Sequence, residues 1–115
     1  MNPSDLILAL FNARTAAHVA HLQTTSYAAH KALQGFYKGI IGLADAFAEA
    51  WIGCKGPIRF GGSTIKLSND PVAMLTSLRE NVVRAREACG ETHLQNILDE
   101  ILALIDSTRY LLTLK

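Results

Sequence analysis

Two histidines and two carboxylates, His18, His30, Asp45 and Glu49, stand at spacings of twelve, fifteen and four residues. Imidazole nitrogens with carboxylate oxygens are the donor set of a first-row divalent metal site. On a helix Asp45 and Glu49 are i,i+4 neighbours, close enough to hold one ion together. His18 and His30 flank the polar cluster Gln23-Thr24-Thr25-Ser26. A turn pivoting at about Thr24 would bring their rings to one level on adjacent antiparallel helices. Gln34, one helical turn after His30, falls with Ile41, Asp45 and Glu49 within about a third of the helix circumference.

Distance then excludes the simplest arrangement. The fifteen residues from His30 to Asp45 span about 22 Å of helix, so one chain does not bring both to one ion. Two copies do, when their second helices cross antiparallel about a two-fold axis and His30 of one meets Asp45 and Glu49 of the other. Ile41 near the midpoint and Gly42 beside it suit such a helix contact. The bland alternative stays open: His30, Gln34, Lys38, Asp45 and Glu49 also describe the solvated face of any bundle helix. His21 reads better as a hydrogen-bonded histidine in a helix contact than as a ligand. Tyr27, Tyr37 and Trp51 read as packing residues, and Arg79, Arg84, Arg86, Asp99, Glu100 and Asp106 as exposed charges. Gly61-Gly62 lacks the flanking strand and helix of a phosphate loop. No Ser/His/Asp or Cys/His arrangement suggests hydrolysis.

The elements that must position these residues are helical. Asn2-Pro3-Ser4-Asp5 is a helix start, and apolar residues then recur at helical spacing to about Gln23, with Ile7, Phe11, His18 and Leu22 on one face. The break at Thr24–Ser26 contains no Gly or Pro, so one unbroken helix over 4–52 is the competing reading. The second helix, Tyr27 to Ile52, has its core stripe at Leu33, Phe36, Ile40, Leu43, Phe47 and Trp51 and stops at Gly53. Residues 53–70 carry loop chemistry, with a brief extended piece expected at Ile58–Phe60 or Thr64–Leu67. Asp70-Pro71 restarts the helix. The third runs to Cys89 on Val72, Leu75, Leu78, Val82 and Ala85, with Gly90 as its stop. Thr92 and Gln95 form a capping box for a fourth helix to about residue 113. Two hairpins joined by a long crossover between helices two and three make an all-α four-helix bundle of the ferritin-like arrangement, one domain over 1–115.

Composition narrows the classes. Half of the 115 residues are apolar and 18% are charged, the balance of a folded domain. A net charge of +1 makes nucleic-acid binding a poor expectation. No apolar stretch reaches membrane-spanning length, so no membrane partner is expected. Two cysteines without CxxC spacing read as thiols of a reducing cytoplasm.

The stretch also resembles the Dps-type mini-ferritins. In that family one His from the end of the first helix is followed after twelve residues by a second, then by an Asp after fifteen and a Glu after four. His18, His30, Asp45 and Glu49 reproduce all four positions. The resemblance implies iron, or else zinc or manganese, bound between subunits of a homo-oligomer built from two-fold dimers, up to a dodecameric shell. It also implies oxidation of Fe²⁺ by peroxide or oxygen, a ferroxidase activity. Departures accompany it: Gln34 replaces the family's Asp, Val19 its aromatic, and no basic tail precedes the first helix. The chain is also similar to short phage-encoded proteins of unknown function through HLQTTSYAAHKAL and ILDEILALIDSTRYLL, which suggests the cytoplasm of a phage-infected bacterium. A metal-free helical interaction or virion protein that keeps only the fold is the alternative function.

Overall fold

The computed structural model describes residues 2–115. Its four helices are α1 (Pro3–Gln23), α2 (Tyr27–Lys55), α3 (Pro71–Ala88) and α4 (Thr92–Leu111). The expected break at Thr24–Ser26 is present. Ser26 N–H donates to Thr24 Oγ1 at 3.1 Å, and Ser26 Oγ caps α2 by accepting from Ala29 N–H at 3.2 Å. Asn2 caps α1 by accepting from Ser4 N–H, and Asp70 caps α3 by accepting from Ala73 N–H. Proline occupies the first helical position in both, where its missing N–H costs nothing.

Several ends differ from the sequence reading. Gly53 does not stop α2, which runs on to Lys55; Gly56 ends it at φ +102°, a conformation that glycine adopts without strain. Gly90 is not a left-handed stop, because Gly56 is the one positive-φ residue among those described. The capping box at Thr92 is also absent. Glu91 occupies the cap without a side-chain bond, and Gln95 Nε2 instead donates to the Cys89 carbonyl at 2.6 Å. That carboxamide satisfies the end of α3 rather than the start of α4.

α1 packs against α2 and α3, and α4 packs against the same two, so α2 and α3 occupy diagonal corners. The far end of α2 meets the start of α4 through Lys55 Nζ and Glu91 Oε1 at 3.2 Å. The start of α3, at Pro71 and Val72, lies beside Gln23, Thr24 and Leu112 at the opposite end. Hence α2 and α3 run in the same direction, and residues 56–70 must climb the length of the bundle. Halfway up, the Asn12 side chain holds this strap: Nδ2 donates to the Lys66 carbonyl at 3.1 Å, and Oδ1 accepts from Lys66 N–H at 2.6 Å. Among the described residues there is no strand, so the brief extended piece expected at Ile58–Phe60 or Thr64–Leu67 does not form one.

One contiguous core joins all four helices, with Ile7, Leu10, Phe36, Ile40, Phe47, Leu75, Val82, Leu98, Ile101 and Ile105 fully buried. On α1 the core stripe is Leu6, Ile7, Leu10, Ala13, Ala17 and His21, not the expected Ile7/Phe11/His18/Leu22 face; Phe11 and Leu22 are exposed. Two neighbours share α1, and its alanines let both approach. On α2 the innermost positions include Ala32 and Ala44, while Leu43 and Trp51 are half-buried. Gly39 lets α4 approach α2, since a Cβ there would meet Leu104 Cδ2 at 3.2 Å.

Arg79 with Asp106 and Arg86 with Asp99 tie α3 to α4 across the surface. The hydrogen bond from Arg79 holds the Asp106 carboxyl below its ordinary range. A carboxylate depressed by folding stabilises the fold above its unfolded pKa, and this is lost as pH falls through the folded value. Wild type should therefore be slightly more stable than Arg79→Ala in urea unfolding at neutral pH, the difference being small for so exposed a pair, and the two should converge on acidification. In the same assay Phe36→Ala should cost about 3–5 kcal/mol. Leu22→Ala, at a side chain 70% exposed, should stay within about 0.5 kcal/mol of wild type.

Candidate functional site

The turn at Thr24–Ser26 sets which histidines face each other. His21 and His30 are equidistant from Thr25-Ser26, and they meet. Their rings stack with centroids 3.6 Å apart and planes 19° from parallel. The contact is reciprocal: His21 Nδ1 lies 2.7 Å from the His30 carbonyl oxygen and His30 Nδ1 lies 2.8 Å from that of His21. A carbonyl only accepts, so each Nδ1 carries the hydrogen, and the neutral ring keeps its lone pair at Nε2. The expectation that His18 and His30 share a level is thus corrected. The pivot lies beyond Thr24, and His30 is partnered by the histidine nearly one turn after His18.

His18 has a different neighbour. Its half-buried ring lies flat over Tyr37 at 4.0 Å and 9°, and meets His21 edge-on at 5.8 Å. Tyr27 lies near His30, with ring centroids 6.3 Å apart. The hairpin therefore carries three imidazoles and two phenols in one cluster, with His21 buried. The reading of His21 as a hydrogen-bonded contact histidine agrees with this. Tyr37, placed from sequence as packing, also forms the floor beneath His18.

Stacked rings limit what the pair does with a metal. An ion is ligated along the in-plane lone pair, and one held by both Nε2 atoms of parallel rings would sit between the planes rather than in either. The pair is therefore not a chelate. His30 offers one oriented nitrogen.

Asp45 and Glu49 are exposed on the outer face of α2, together with Lys38, and Gln34 is half-buried near His30. Among the described residues no three His, Cys, Asp or Glu side chains come together as a metal group. Ile41, 39% exposed, lies between His30 and Asp45 on the same face. Gly35 and Gly42 are exposed, and a Cβ at either would touch nothing. Each costs an isolated helix about 1 kcal/mol relative to alanine, and packing within the chain supplies no reason for them.

The sequence reading missed the His21–His30 partnership and the Asn12 clamp. Centring the hairpin on the cap residue Ser26 and its neighbour Thr25 finds the first. Nothing local signals the second, whose partners are 54 residues apart.

Comparison with known proteins places the chain near phage proteins. Residues 21–112 match the family described as "Family of unknown function (DUF5856)". The match opens at His21 and takes in α2, α3 and α4, leaving His18 outside it. An uncharacterized 14.6 kDa protein from the mobD–ri intergenic region of Enterobacteria phage T4 is 28% identical over 109 residues, which covers 92% of this chain and 84% of that protein. The expected likeness to short phage-encoded proteins is thus found, and neither match is to a mini-ferritin. No solved structure matches. Among the described residues no helix is long and apolar enough to cross a membrane.

The reciprocal bonds have a direct readout. Long-range ¹H–¹⁵N correlation spectra above neutral pH should show His21 and His30 as Nδ1–H tautomers; Nε2–H tautomers would contradict the bonding. His21→Ala should lose about 1–3 kcal/mol of stability through the lost contact and bond, and His18→Ala distinctly less.

Proposed function

The chain belongs to this family of unknown function, and from that footing we propose that it self-associates and holds a divalent metal ion between two copies. The observation that carries the reading is His30. Its Nδ1–H is pinned to the His21 carbonyl, the kind of outer partner that orients metal-ligating imidazoles. Its Nε2 keeps a lone pair for a metal, and the same helix exposes Asp45 and Glu49 farther along. Imidazole and carboxylate together suit Fe²⁺, Mn²⁺ or Zn²⁺, so the donor chemistry fits. One chain lacks three convergent donors, so a second copy supplies the carboxylates. His18 stands at the rim of the same cluster and Gln34 is a neutral neighbour. Exposed Ile41 with bare Gly35 and Gly42 suits the crossing of two α2 helices. The reading takes the long crossover as that of the ferritin-like arrangement, iron as the preferred metal, Fe²⁺ oxidation as the activity and a closed shell as the largest assembly, in a phage-infected cell.

Lys38 favours a second reading. An ammonium on the same outer face is suited to pair with a partner's carboxylate where the first reading puts an ion. The protein would then be a metal-free helical interaction or virion protein, joined through α2.

Calorimetry with Fe²⁺ under anaerobic conditions separates them. His30→Ala and Asp45→Ala should each lose most of the binding, and mixing them should restore a fraction. A mixed dimer has one site lacking both ligands and one intact, because about 22 Å of helix separates the two residues. No metal uptake by a dimer that salt dissociates would instead support the Lys38 reading. A strict monomer in light scattering across a dilution series would remove both.

A further inference from the structure

The helix ends away from Lys55 and Glu91 form a face of their own. There α1 finishes and α2 starts, and α3 starts beside the end of α4. Each helix leaves a large apolar side chain exposed at this end: Leu22 on α1, Tyr27 on α2, Val72 on α3 and Leu111 on α4, with Leu114 just beyond. Leu22 and Tyr27 are 70% and 74% exposed. A cavity of about 320 Å³ opens among these ends, between Leu33, Val72 and Leu112. Exposed apolar groups gathered from every helix at one end mark an interaction surface.

Two charges at this face identify what covers it. Lys31 leans toward the end, as helical side chains lean toward the N-terminus, with its Nζ 5.8 Å from the centre of the Tyr27 ring. Asp70 is exposed and caps α3 through Oδ1, leaving Oδ2 for a cation. Among the described residues neither forms an ion pair within the chain. The helices occupy a square in which α2 and α3 make one diagonal and α1 and α4 the other. Lys31 and Asp70 therefore stand at opposite corners. A two-fold axis lying in the end face along the α1–α4 diagonal exchanges those corners between copies. It sets Lys31 of each copy against Asp70 of the other, and brings Leu22 and Leu114 to their own equivalents. An axis along the other diagonal would oppose Lys31 to Lys31 and Asp70 to Asp70, so charge selects the first.

We infer that this end face is a two-fold contact with a second copy, which sets two bundles end to end with a Lys31–Asp70 pair on either side of an apolar centre. The contact is separate from the α2 contact of the proposed function and involves no metal. A face no larger than the 28 by 20 Å cross-section of the bundle is at the small end of specific interfaces. The dimer is therefore weak and depends on concentration.

The test is small-angle scattering with sedimentation across a dilution series, in an Ile41→Glu background that removes the α2 contact. Each contact is then judged without the other. The longest dimension of the dimer should approach twice the 44 Å of one copy. Leu22→Asp, at a side chain already exposed, should raise the dissociation constant about tenfold or more. Lys31→Glu, which opposes two carboxylates at each pair, should raise it roughly tenfold. Asp70→Asn removes the charge and keeps the helix cap; combined with Lys31→Glu it should recover the affinity severalfold. Within one copy the two residues stand at diagonal corners, so such a recovery arises only between copies. The inference is overturned if the protein stays monomeric at millimolar concentration, or if the dimer is little longer than one copy. It is equally overturned if Asp70→Asn brings Lys31→Glu no recovery.

Discussion

Helices α2 and α3 run in the same direction from diagonal corners, and the chain must travel the length of the bundle between them. Much else follows from that constraint. The connecting strap lies in neither helix nor sheet, and among the described residues the backbone hydrogen bonds between Pro57 and Leu67 are the two to Asn12. Each helix has two neighbours in this square, and on α1 the second half of the stripe that meets them is Ala13, Ala16 and Ala17 rather than bulky side chains. An alanine stripe admits two helices at short distance, whereas Phe11 turned inward would hold one of them off.

The hairpin of α1 and α2 is where the chemistry collects. His21 and His30 each give a ring N–H to the other's carbonyl, so the same bonds that tie the two helices together also fix the tautomers. Both rings become rigid, and each keeps one nitrogen free. Stacking keeps those nitrogens from converging on one ion, which separates the structural role of the pair from any ligand role of His30. The carboxylates that would complete a site lie about four helical turns away along α2, a separation that no rearrangement of a straight helix removes. A metal role is therefore tied to assembly: it needs a second copy.

The outer face of α2 and the groove under the strap are different kinds of surface. The first is a helix face with exposed Ile41 and glycines that a lone helix has no use for. The second is an open cavity between α1 and α3, crossed by an irregular strap that Asn12 fixes at Lys66.

Helix number, approximate bounds and most of the core on α2 and α3 were legible in the sequence, because apolar periodicity and the polar caps at Asn2, Ser26 and Asp70 are local properties. The separation of His30 from Asp45 was equally legible, since helical rise is the same in any fold. Tertiary structure alone decided the rest. Which histidine faces His30 depends on a shift of one or two residues in the turn's pivot, and that shift comes from cap geometry and packing rather than from spacing. Gln95 had a local use as a capping-box residue and took a non-local one, because the end of α3 left carbonyls within its reach. Phe11 and Leu22 kept helical spacing yet lie outside, because periodicity tells which residues share a face and only the neighbours tell which face is covered. The clamp from Asn12 to Lys66 joins residues 54 apart and exists only once the bundle has brought the strap across α1.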